Sequence, residues 1–222
     1  MGHLNVAIDG PAGAGKSTIA KEIAKRNGFI YVDTGAMYRA MALFCIRSGI
    51  DYRSEEKVNE IVDGVAIEIR YENGVQCVIL NGENVNGLIR TEEVSQAASI
   101  TSVYPKVRLK LVELQRQLAA ENDVVMDGRD IASYVLPDAN VKIFLTASVE
   151  ERARRRCKEL NEKGEACDIE AVKKDIEERD YRDSHREFAP LVQVPSATRL
   201  DTSDMTIEEV IAAIIKICEE AL

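Results

Sequence analysis

The segment Gly10-Pro11-Ala12-Gly13-Ala14-Gly15-Lys16-Ser17 constrains this chain more than any other, because it matches the spacing G-x-x-x-x-G-K-[ST]. It lies between a short β-rich run, residues 4–9, and a helically spaced stretch, residues 16–26, that stops at Asn27-Gly28. Small residues let backbone N–H groups turn inward around a phosphate, and the helix N-terminus adds positive potential. Lys16 is then placed to bridge β- and γ-phosphates and Ser17 to offer its hydroxyl to Mg²⁺, with Thr18 completing the turn. The loop is therefore expected to hold the phosphates of ATP with Mg²⁺.

Three further apolar runs, residues 29–32, 124–126 and 141–145, look like strands alternating with helices. Nearly continuous apolar strands of this kind belong to a parallel sheet covered on both faces. Residues 65–88 break the pattern with β-rich runs separated by Asn73-Gly74 and followed by Asn81-Gly82, a strong hairpin signal. They are read as a small antiparallel insert. Residues 105–121 form an amphipathic helix. Ser148-Val149-Glu150-Glu151 and Thr206-Ile207-Glu208-Glu209 fit capping boxes that start two more. Asp168 begins another, running to about His185, and the polar residues 161–167 with Gly164 read as a hinge before it.

Composition narrows the possibilities. With 38 acidic against 29 basic residues the net charge is −9, which argues against bulk nucleic acid as a partner. No apolar run approaches the roughly 20 residues that span a bilayer, and Met1-Gly2-His3-Leu4 does not open a secretory signal. A cytoplasmic monomer is expected. The five scattered cysteines and two histidines show no zinc-like spacing, so reduced, mostly buried thiols are expected. No Asn-Lys-x-Asp follows a late strand, as a regulatory GTPase would need, and no LSGGQ-like segment marks an ABC-type ATPase.

A second set of phosphate-competent groups sits where two strands are expected to end: Asp33-Thr34-Gly35-Ala36-Met37-Tyr38-Arg39 and Asp127-Gly128-Arg129-Asp130. Ligands of open α/β sheets bind beyond the carboxyl ends of the strands, which brings both segments beside the loop. Arg39 and Arg129 can each grip a phosphate with two N–H groups, although either alone could be a surface ion pair. Arg152, Arg155 and Arg156 share one helix face, as do Arg179, Arg182 and Arg186 on the next helix. Their interleaved glutamates leave a solvated charged surface as the other reading.

With Ile89-Arg90-Thr91-Glu92-Glu93-Val94 and Glu178-Arg179-Asp180-Tyr181-Arg182-Asp183, these segments occur in the order found in bacterial cytidylate kinases, which the chain resembles over nearly its whole length. The resemblance implies a single three-layer α/β/α P-loop kinase domain, with an acceptor-binding segment and β insert at about 35–90 and a helical lid at about 150–187. It also implies CMP or dCMP as acceptor. Asp130, Ser99 and Arg108 map to the residues that read the base, Arg39, Arg129 and Arg186 to those that hold the acceptor phosphate, and Asp183 with Arg179 to the ribose site. Thr34 and Tyr38 belong to the same acceptor segment. Arg155, Arg179 and Arg182 are assigned to the transferring phosphoryl together with Lys16 and Arg129, and Asp33 to Mg²⁺ through water. An acceptor hydroxyl, as on a sugar or shikimate, would instead need a carboxylate base, and Asp33 could serve. One departure is Ala132-Ser133, where the family usually carries Gly-Thr.

Overall fold

The computed structural model describes residues 3–162 and 164–221. Its centre is a five-stranded, fully parallel sheet in the order β2-β6-β1-β7-β8, formed by β1 (Asn5–Asp9), β2 (Ile30–Asp33), β6 (Val124–Gly128), β7 (Val141–Thr146) and β8 (Thr198–Asp201). Side chains alternate between its faces. Ala7 and Met126 enter one core with Met37, Met41 and Leu111; Val6, Ile8 and Val125 enter the other with Ile19, Ile23 and Ile214. Helices α1 (Lys16–Asn27) and α8 (Ile207–Ala221) supply the second core, and α2 (Thr34–Arg47) and α5 (Pro105–Glu121) the first. This is the three-layer arrangement expected from the sequence.

Between α2 and α5 the chain forms α3 (Glu55–Ile61), an antiparallel sheet of β3 (Ile67–Glu72), β4 (Val75–Leu80) and β5 (Glu83–Asn84), and α4 (Glu92–Thr101). Asn73 and Gly74 both have positive φ, as do Asn81 and Gly82, so the two Asn-Gly pairs make the tight turns that their chemistry favours. The helical hairpin of α6 (Val149–Glu162) and α7 (Ile169–His185) precedes β8. Asp168 caps α7 by accepting from Glu170 and Ala171, and Ser148 accepts from Glu151 at the start of α6.

The cysteines depart from the fully reduced state expected of them. Cys157 of α6 and Cys167, just before α7, are joined in a disulfide, while Cys45, Cys77 and Cys218 are free and buried. Ten residues of separation carry no sequence signal; the hairpin turn brings the pair together. Lys163, inside the expected hinge, lies outside the described residues.

Candidate active site

Gly10 follows β1 at φ 150°, and a methyl group there would lie 1.9 Å from the Leu145 carbonyl oxygen of β7. Only glycine lets the loop leave the sheet so close to its neighbour. Gly15, at φ 86°, turns the chain into α1. Lys16 is buried, and its Nζ donates to the Pro11 carbonyl at 2.7 Å. Burial first, then nearby Arg129, holds its pKa well below the ordinary lysine value. Ser17 donates to Asp127 at 2.9 Å, and Tyr31 donates to the other carboxylate oxygen at 2.8 Å. Burial and then Asp33 push the Asp127 pKa up. Ser17 and Thr18 are exposed on the first turn of α1.

Beyond the ends of β2 and β6 lies a group of cations. Asp33 caps α2 by accepting from Ala36 at 2.9 Å, and its carboxylate also accepts from Arg39 and Arg90, each at 3.0 Å. Thr34 donates to the Asp127 carbonyl at 2.7 Å, tying the two strand ends together. Arg129 donates to Asp183 of α7 at 2.9 Å, which helps hold that carboxyl below its usual range against burial. Arg179 lies half-buried among these groups, and desolvation followed by Arg129 lowers its pKa to about 10. The Nε atoms of Arg39 and Arg179 are buried without a hydrogen-bond partner among the described residues. So many cations in so small a volume leave a positive site that an anion would relieve.

A second cluster lies beside the first. Asp130 is 4% exposed; it accepts from Arg108, itself fully buried, and from Arg186 at 3.2 Å. The Arg108 guanidinium lies 5.4 Å from the Tyr38 ring centroid. Ser99 accepts from Arg182 at 3.3 Å. The structure thus brings Asp130, Arg108, Tyr38 and Arg186 together, and seats Arg186 on Asp130, where the sequence reading grouped it with Arg39 and Arg129. Arg155 donates to Glu151 and to the Thr202 side chain and carbonyl, with its Nη1 3.8 Å from where a methyl on Gly15 would be.

To three contributors the sequence assigned no role of their own. Asp127 carries the carboxylate that touches Ser17, whereas Asp33 is occupied by arginines. Arg152, 4% exposed, donates to the Ala12 carbonyl at 3.0 Å and pairs with Asp180 at 2.6 Å, so it fastens the phosphate loop to α7. Asp9 accepts from Ile131 at 2.8 Å and Ala132 at 2.7 Å, fixing the π-helical turn after Asp130. For Arg152 the signal was its place on the arginine face; for Asp9 and Asp127 it was their position at strand ends flanking the loop.

The family model for cytidylate kinase matches residues 6–220. A cytidylate kinase of Lactobacillus gasseri is 50% identical over 217 residues, covering 98% of this chain and 94% of that protein. One from Bacillus cytotoxicus is 47% identical over 220 residues, covering 99% and 98%. A solved structure from Eubacterium ventriosum superposes with a TM-score of 0.54 at 12% identity, covering 98% of this chain and 99% of that one, a likeness of fold alone. Phosphate loop, arginine cluster and a family match spanning almost every residue agree: the chain belongs to the cytidylate kinase family.

Proposed function

We propose that this chain transfers the γ-phosphoryl group of ATP to CMP and dCMP, giving CDP or dCDP and ADP. The observation that carries the reading is the adjacency of two clusters: Lys16 with Arg39, Arg129 and Arg179, and Asp130 with Arg108. The first suits two sets of phosphates meeting end to end; the second suits a base. In this reading the loop from Gly10 to Thr18 holds the donor phosphates, and Arg39 and Arg129 grip the acceptor phosphate. Arg155, Arg179 and Arg182 neutralise charge on the transferring group, which is the electrostatic and positioning work that dominates such reactions. The acceptor oxygen of a nucleoside monophosphate is ionised at neutral pH, so no side chain needs to remove a proton.

The residues fit Mg²⁺. Ser17 and Asp127 offer hard oxygen donors side by side, and the raised Asp127 pKa marks a carboxylate that a cation would stabilise, while Asp33 is committed to Ala36, Arg39 and Arg90. When bound, Mg²⁺ supplies neutralisation of the donor phosphates. Asp130 accepts from the exocyclic amine of cytosine while Ser99 and Arg108 donate to the ring acceptors. Uracil presents a carbonyl in place of the amine and meets a carboxylate with no proton between them. Asp183 and Arg179 are left for the ribose, and Arg186 acts through Asp130.

A hydroxyl acceptor with Asp33 as base is disfavoured, because Asp33 already accepts from Ala36, Arg39 and Arg90. The proposal includes a monomer working in the cytoplasm; none of the described helices is long and apolar enough to cross a membrane. ADP release is to be measured with CMP, dCMP, UMP, AMP, GMP and shikimate. Preference for CMP and dCMP is expected. Preference for AMP, GMP or shikimate would overturn the reading.

A further inference from the structure

The antiparallel insert touches the parallel sheet at one informative place. β2 is an edge strand, and its outward-facing backbone groups at Tyr31 and Asp33 have no neighbouring strand among the described residues. Side chains of the insert stand in for one. Tyr71 of β3 donates its hydroxyl to the Tyr31 carbonyl at 3.1 Å. Gln76 of β4 does both jobs at Asp33: its Oε1 accepts from the Asp33 N–H at 2.7 Å and its Nε2 donates to the Asp33 carbonyl at 3.2 Å. A primary amide is the side chain that can copy a strand's paired donor and acceptor. Gln76 is buried, and its own carbonyl accepts from Asn86 at 2.7 Å, while Asn86 also accepts from Val78 at 2.9 Å. The clamp is therefore itself braced.

The clamped residue is the one on which the acceptor side turns. Asp33 caps α2 and holds Arg39 and Arg90 through its carboxylate, while Thr34 is fixed to Asp127 from the other side. A shift of the Asp33 backbone would carry the start of α2 and the Arg39 guanidinium with it. The loop that holds Lys16 is reached from β1, two strands away, and would not follow.

We infer that Gln76 is a positioning residue for the acceptor phosphate, and that the insert serves to hold Asp33 where Arg39 and Arg90 can meet that phosphate. This rests on the kinase reading above. The test is Gln76→Glu, which keeps the volume and the acceptor for the Asp33 N–H but turns the second contact into oxygen against oxygen. Gln76→Ala is made alongside it in case the added charge prevents folding. Tyr71→Phe is the control, since it removes a neighbouring bond between insert and sheet without touching Asp33. Thermal unfolding of each variant confirms a folded protein before kinetics.

The acceptor KM should rise about tenfold in the Gln76 variants, the scale of one lost positioning bond. The factor should be the same for CMP, dCMP and UMP, because the phosphate is common to all three. The KM for ATP should stay within about twofold, and Tyr71→Phe should leave both constants within about twofold. A folded Gln76 variant with unchanged acceptor KM overturns the inference. So does a parallel rise for ATP, or an equal effect in Tyr71→Phe, either of which reports general loosening. A wild-type chain with no acceptor-dependent turnover refutes the kinase reading itself, whereas turnover that is insensitive to Gln76 refutes only this role.

Discussion

Replacing Asp130 by Asn tests the reading of the base where its physics is least forgiving. The carboxylate accepts from Arg108 on one oxygen and from Arg186 on the other, and both guanidinium groups are nearly or fully buried. Each oxygen keeps a lone pair for a substrate amine. Asn retains the shape, but its NH₂ must face one of the two arginines, so one charge-assisted bond becomes a repulsion. Removing one partner of a buried pair costs about 3–5 kcal/mol, and keeping the other bond reduces this to about 2–3 kcal/mol. For a chain of this size that lowers Tm by roughly 4–12 °C. A hydrogen bond to a charged group contributes about 1.5–3 kcal/mol, so kcat/KM for CMP should fall about 10- to 100-fold. UMP should be spared, because the amide can donate to the uracil carbonyl, and its kcat/KM should stay within about threefold. The assay is coupled ADP release with each acceptor on protein shown to be folded. Equal losses with CMP and UMP would refute the assignment of Asp130 to the base.

Three further outcomes follow from single contacts. Gly10→Ala places a methyl 1.9 Å from the Leu145 carbonyl, so ATP-dependent turnover should drop by about a hundredfold or more; retained turnover would mean the loop can leave β7. Thiol titration of unfolded, unreduced protein should count the three free cysteines, and all five after reduction; five before reduction would contradict the α6–α7 link. Burial raises the Asp9 pKa to about 7, against about 4 in an unfolded chain. The folded state then holds a proton that the unfolded state lacks between those values, so this group's contribution is full below about pH 4 and is lost as pH rises through about 7. Urea unfolding at pH 5 and pH 8 should show a smaller loss of stability in Asp9→Asn than in wild type; equal losses would contradict it.

What could be read from the sequence followed local chemistry. The phosphate loop, the two Asn-Gly turns and the capped starts of α6, α7 and α8 are short-range patterns whose residues specify their own backbone. Helix α2 was not legible as a helix, because Met37, Met41, Ala42, Leu43 and Cys45 are buried around much of its surface and blur the polar face. β8 was not legible either, being a four-residue edge strand with mostly exposed side chains. In the site, arginine spacing pointed to a charged face but not to the separate destinations of Arg152, Arg155 and Arg186. Arg152 turns to the loop, Arg155 to Thr202 and Arg186 to Asp130, and those partners come from distant elements. The same holds for Cys157 and Cys167, whose pairing depends on the hairpin angle.

The central claim is direct transfer from a nucleotide held by the Lys16 loop to a cytidine monophosphate held by the arginine cluster. Incubation with ATP and CMP, followed by separation of all four nucleotides, measures it most directly. CDP should appear mole for mole with ADP, and neither should form when CMP is withheld. ADP appearing without CDP, or at the same rate in the absence of CMP, would contradict the account.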